Sequence, residues 1–166
     1  LQKVLGLIIN LLRSVPFLIL LIMMIPVTRK LVGTSLGWRA VVPPLVASAA
    51  PYIARMVESS FKEIDAGVIE AAKSMGASTF QIIWKVLLPE SKPSLLIGAA
   101  ISTTTILGYS AMAGAVGGGG LGDIAIRYGY QRFMPEIMYS VVVILIVFVQ
   151  AMQSLGDWTV RKVSHR

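Results

Sequence analysis

Runs of hydrocarbon side chains alternate along this sequence with short polar stretches, and several of the runs are long enough to cross a bilayer. A helical span needs roughly 20 apolar residues. The longest stretch without a formal charge extends from Pro93 to Gly122. Its front part, about Ser94 to Ala113, predicts a span, and its glycine-rich end predicts irregular backbone. Ile137–Leu155 predicts another uncharged span. Two further runs are less regular: Val4–Val27 contains Arg13 and Pro16, and Ala40–Ala54 contains Pro43, Pro44 and Pro51. Proline breaks the helical hydrogen-bond ladder, and lipid cannot satisfy the freed carbonyls. Those two spans are therefore expected to pack within a bundle or to line a cavity. The pattern predicts an all-α, polytopic membrane protein with four visible spans, forming one domain over residues 1–166.

The polar segment 58–92 follows a different rule. Ser60-x-x-Glu63 fits a capping box. Val68, Ile69, Ala72 and Met75 recur at helical spacing and predict one apolar stripe on a short helix from Ala66 to Met75. Gly76 falls where a left-handed C-terminal cap is expected. Ser78-x-x-Gln81 predicts the cap of a second helix, and Pro89 its stop. A helix this short is marginal in water and persists only when packed, on its own protein or on a partner. Glu70 beside the small residues Ala71 and Ala72 favours a partner, because small side chains allow close approach and one acid can pair with a base.

Composition agrees with the pattern. Hydrophobic residues make up 55% and charged residues 14% of the chain, against about 25% charged in a soluble globule; the mean hydropathy is +0.77. Cysteine is absent, so disulfides and thiolate chemistry are excluded. The net charge of +7 comes from residues dispersed near the ends of apolar runs, which argues for lipid headgroups and against nucleic acid. Arg29, Lys30, Arg39, Arg127 and Arg132 lie in the loops 28–39 and 114–136, and the other ten of the 15 basic residues fall on the opposite side. This asymmetry puts segment 58–92 and the C-terminal tail in the cytoplasm. The chain opens at Leu1, already inside an apolar pattern, so an earlier span is expected to precede it.

Candidate chemistry is sparse. Gly117-x-Gly119-x-x-Gly122 formally matches a dinucleotide fingerprint, but it follows a predicted membrane helix with no strand before it. Glycine there lets backbone run close to backbone. No G-x4-G-K-[ST] motif occurs, so any ATP used must bind another subunit. Ser102, Thr103, Thr104 and Thr105 read first as helix glue and second as a substrate contact. Tyr109, Ser110 and Met112 end the same span, where a soft thioether such as Met112 suits a thioether-bearing substrate. His165 reads as a solvated tail residue. The spans carry no ring of charge, which disfavours an ion channel. An intramembrane enzyme would need acids, bases or metal ligands in the spans, which offer only Arg13 and Arg55 near their ends.

Glu70-Ala71-Ala72-x3-Gly76-x9-Val86-x-Leu88-Pro89 resembles the coupling loop of permease subunits in bacterial ATP-binding-cassette importers. Arg13-Ser14-Val15-Pro16-Phe17 resembles the entry to the second span in methionine-type and polar amino-acid permeases. Gly108-Tyr109-Ser110-Ala111-Met112-Ala113-Gly114-Ala115-Val116-Gly117, with the glycines to Gly122 and Tyr128-Gly129-Tyr130, is similar to the methionine type. The fourfold run Gly117–Gly120 and the charge of Asp123 depart from that pattern.

The resemblance covers essentially the whole chain and implies a five-span unit whose first span lies outside this sequence. It implies that Glu70, Ala71, Ala72, Gly76, Leu88 and Pro89 contact a cytoplasmic ATPase, and that Tyr109, Ser110 and Met112 border the translocation path. Gly117, Gly118, Gly119 and Gly120 would face the outer gate or a docked binding protein. It further implies a second copy of the chain, two ATPase subunits holding ATP and Mg, an extracellular or periplasmic binding protein, surrounding lipid, and a bacterial inner membrane. This chain itself would carry no cofactor and no metal. Methionine is the expected cargo, with another amino acid or a small osmolyte as the alternative.

Overall fold

A computed structural model describes residues 2–164, and the side chains of 6–7, 9–11 and 13–162 among them. His165 lies outside the described residues. All regular structure in the described residues is helical. The order is α1 (Gln2–Ser14), α2 (Phe17–Met23), α3 (Ile25–Val32), α4 (Trp38–Lys62), α5 (Ala66–Ser74), α6 (Thr79–Ile82), α7 (Leu88–Glu90), α8 (Lys92–Met112), α9 (Gly120–Ile124) and α10 (Pro135–Ser164). A π-helical turn, Ile83–Leu87, joins α6 to α7, and a second, Ala125–Tyr130, follows α9.

Three helical stretches, Trp38–Lys62, Lys92–Val116 and Pro135–Lys162, are long and apolar enough to cross a membrane. The run expected as one span over Val4–Val27 is instead broken at Pro16: α1 stops at Ser14 and α2 starts at Phe17. Proline has no N–H and biases the preceding residue away from helix, which ends α1 there. Beyond the break the ladder runs on from α2 into α3, with Met24 N–H donating to the Leu20 carbonyl at 2.9 Å and Thr28 N–H to that of Met24 at 2.8 Å. All three segments pack on α4. Pro43, Pro44 and Pro51 sit inside α4 without ending it.

The packed core is small. Phe17, Leu21, Val41 and Ala113 form its buried centre, with Leu45, Tyr109 and Val116 against them. It ties α2, the front of α4 and the end of α8 together. Along α10 the large apolar side chains point outward instead: Ile144, Val147 and Phe148 are all about half exposed or more. An apolar outer face is what lipid, not water, solvates. Glycines set the closest helix contacts, because a Cβ on Gly98 would strike Met56 and one on Gly156 would strike Ala100. The three tryptophans lie exposed near helix ends, Trp38 at the start of α4, Trp84 beside α6 and Trp158 late in α10. Amphipathic rings favour that headgroup level.

Candidate functional site

The segment after α4 is built from local hydrogen bonds. Ser60 does not cap a helix: it lies inside α4, buried, and accepts a hydrogen bond from the Ser94 hydroxyl at 3.0 Å. The Ser60–Glu63 capping box is therefore not formed. The helix runs past it because Glu58 accepts from Arg55 at 2.5 Å and from Lys62 at 2.7 Å, pairs that sit on one helical face. Asp65 is the cap instead, its carboxylate accepting from the Gly67 N–H at 2.6 Å.

At the other end of α5, the Ala77 N–H donates to the Ala72 carbonyl at 3.1 Å and the Gly76 N–H to that of Lys73 at 2.9 Å. This pair of bonds is a Schellman motif, and it requires a left-handed residue at Gly76, where φ is +79°. Ser78 then forms the expected reciprocal box: its Oγ accepts from the Gln81 N–H at 3.3 Å, and its N–H donates to Gln81 Oε1 at 2.8 Å.

Pro89 does not stop the second helix. The π turn Ile83–Leu87 widens the ladder just before it, with the Leu88 N–H reaching back to the Ile83 carbonyl. That extra residue displaces the carbonyl with which the proline ring would otherwise collide. The ladder resumes through Ser91, whose N–H donates to the Leu87 carbonyl and whose own carbonyl accepts from Leu95, at 2.9 and 2.8 Å. A nearly unbroken helical rod thus runs from Ser78 into the membrane span α8.

On α5 only part of the expected apolar stripe turns inward. Ala72 is buried and Ile69 half-buried, whereas Val68 is exposed and Met75, at the C-cap, is 82% exposed. Glu70 and Ala71 face outward, and Glu70 has no ion-pair partner among the described residues. Gly76 and Pro89 are exposed and Leu88 is half-buried. Nearby, Phe80 and Trp84 are exposed with ring centroids 5.9 Å apart. The sequence reading missed this pair, although two aromatics at i and i+4 in a polar segment are a usable signal.

Tyr109, Ser110 and Met112 do not share one face. The Tyr109 ring is packed in the core, while Ser110 and Met112 are exposed and lie on nearly opposite sides of α8. Ser102, Thr103, Thr104 and Thr105 each donate to the carbonyl four residues back, at 2.7–3.3 Å. Those hydroxyls are spent on their own helix.

Past α8 a short 3-10 turn, Ala113–Val116, ends in a second Schellman pair, from Gly118 to Ala113 and from Gly117 to Gly114. Gly117, Gly119 and Gly120 all have φ near +80°. Backbone runs close to backbone here as expected: a Cβ on Gly118 would meet the Ala113 carbonyl, one on Gly122 the Ala111 carbonyl, and one on Gly114 would run into Gly122 and Asp123. The Gly117 carbonyl accepts from the Gly37 N–H at 2.9 Å, joining this loop to the start of α4. Asp123, the charge that departs from the expected pattern, pairs with Arg127 at 3.1 Å.

Residues 1–165 match the family model described as binding-protein-dependent transport system inner membrane component. The chain is 53% identical over 166 residues to the probable D-methionine transport system permease protein MetI of Vibrio cholerae, covering all of this chain and 74% of that protein. It is 46% identical over 156 residues to the methionine import system permease protein MetP of Bacillus subtilis, covering 94% of this chain and 70% of that one. Its fold is similar to that of a chain in inward-facing crystals of the MetNI methionine ABC transporter. The TM-score is 0.95 at 50% identity, with 98% of this chain and 75% of that chain covered.

Proposed function

We propose that this chain, which belongs to the family of binding-protein-dependent transport system inner membrane components, is the permease subunit of a methionine importer driven by a separate ATPase. The observation that carries the coupling role is the helical rod from Ser78 to the end of α8, hinged to α5 by the Gly76 turn. A push on a short helix dissipates in a flexible loop, but here it passes through a cap, a tight turn and a helix into the membrane. Glu70 and Ala71 are the outward contacts of α5, Ala72 fastens it inward, Gly76 is the hinge, and Leu88 and Pro89 lie on the rod. Segment 58–92 is then the cytoplasmic coupling loop of a single permease domain in a bacterial inner membrane.

Two copies form the path between them, each held by one ATPase subunit that binds ATP and Mg, and a binding protein delivers cargo from outside. The chain has no P-loop, which fits that division. ATP drives the bundle only by binding its two global states with different affinity. Shifting the balance from 1:99 to 99:1 takes about 5.5 kcal/mol. Met112, exposed where α8 ends and on nearly the same side of the helix as Tyr109, borders the path, with Tyr109 as its packed wall, while Ser110 faces nearly the opposite side. The loop Gly117–Gly120, tied to Gly37, forms the outer gate.

The test is uptake into proteoliposomes holding permease, ATPase and loaded binding protein. Wild-type protein takes up methionine only with ATP, and Glu70→Lys inserts normally but transports at least about tenfold less. Unchanged uptake by that variant overturns the coupling role. Uptake of another amino acid or an osmolyte in place of methionine overturns the cargo.

A further inference from the structure

We infer that the groove between α1 and the last turns of α4 binds the phosphate of an anionic phospholipid at the cytoplasmic face. The groove is lined by Arg13, Tyr52, Arg55, Glu58, Ser59 and Lys62, and its volume of roughly 420 Å³ lies within the range of small-ligand sites, about 300–1,000 Å³. Its charge is not balanced. Glu58 is shared by Arg55 and Lys62, and Arg13 has no ion-pair partner among the described residues. Three cations thus face one carboxylate. A further anion relieves their mutual repulsion, and a phosphate accepts the forked N–H donors of arginine in the geometry they favour.

Depth selects a lipid. The first residue of α4 is Trp38, exposed with its ring 5.3 Å from the Arg39 guanidinium. From Trp38 to Arg55 the helix rises roughly 26 Å at about 1.5 Å per residue, close to the ~30 Å of a hydrocarbon core. With Trp38 at one headgroup layer, Arg55 and its neighbours arrive at the other. The break at Pro16 brings Arg13 to that same level. Basic grooves between helices on the cytoplasmic side are suited to anionic headgroups. The inference needs the membrane frame but not the transport activity, so it stands or falls separately from the function proposed above.

Native mass spectrometry of the purified full-length permease, with equal phosphatidylglycerol and phosphatidylcholine added, tests it. Wild-type protein retains phosphatidylglycerol preferentially. Arg13→Gln weakens that retention roughly tenfold, the loss of one charge-assisted contact, and Arg13→Lys weakens it less. Lys30→Gln, altering a cation at the opposite face, leaves it unchanged. Lys62→Gln provides the same comparison should Arg13→Gln fail to fold, with a severalfold loss expected. Millimolar inorganic phosphate does not displace the lipid; displacement would make the groove a soluble-phosphate site and overturn the inference. Equal retention by wild type, Arg13→Gln and Lys62→Gln would overturn it too.

Discussion

The ring of Tyr109 lies flat against that of Phe17, their centroids 4.7 Å apart and their planes 11° from parallel. The contact spans the chain, from the first residue after the Pro16 break to the last turn of α8. It also decides what Tyr109 can do. A ring held in the core cannot swing into a path, so only its edge and hydroxyl remain for cargo.

Tyr109→Ala should therefore act on stability first, but because the ring is only partly buried the loss should fall below the roughly 3–5 kcal/mol of a fully buried aromatic. Tyr109→Phe keeps the stack, and its unfolding midpoint in detergent should match wild type within error. If Tyr109→Phe nevertheless raises the KM for uptake, the hydroxyl touches cargo; an unchanged KM confines the residue to packing.

Gly76 has φ +79° and nothing within 4 Å of an added Cβ. Gly76→Ala should thus cost only the left-handed backbone penalty, about 1–2 kcal/mol, without a steric clash. Hydrogen exchange should quicken over residues 66–82 while α10 is unaffected. Gly76→Asn should recover part of the loss, since asparagine visits that conformation more readily than alanine.

The parts of the molecule that obey local rules were legible in the sequence. Ser78 with Gln81, and the left-handed Gly76, formed as expected because a cap and a turn depend on residues within one helical turn of each other. The spans at α4, α8 and α10 followed from length and hydropathy. The errors arose where a neighbour competes for the same residue. Ser60 carried a cap signature, but Ser94, more than thirty residues away, holds its hydroxyl, and the Glu58 pairs carry α4 past it. Pro89 is a helix stop by local rules, and the π turn that accommodates it has no short sequence signature. Met75 fitted the stripe by spacing, but helix α5 ends before it, so its side chain leaves the packed face.

The glycines of α8 and its exit should divide sharply under alanine substitution. Gly108 has ordinary helical backbone and open space around an added Cβ. Gly108→Ala should stabilise by about 1 kcal/mol through helix propensity. Gly122→Ala drives a methyl into the Ala111 carbonyl, and backbone cannot yield as a side chain can. Its unfolding midpoint should fall by several degrees, and the variant should be recovered from membranes in lower yield. Equal midpoints for the two variants would mean that α9 does not pack on the end of α8.

Pro89→Ala separates the rod's stability from its direction. Alanine restores an N–H, and with the ring gone the Leu88 bond can revert from Ile83 to Trp84, removing the extra residue of the π turn. Helix propensity favours the change, so the unfolding midpoint should hold or rise. Removing one residue from a turn rotates everything before it by about 100° relative to α8, which re-aims α5 and Glu70. Methionine uptake should then fall severalfold while stability is kept and the variant still inserts. Uptake at wild-type rate from a variant whose π turn has closed would show that the orientation of α5 relative to α8 does not matter for coupling.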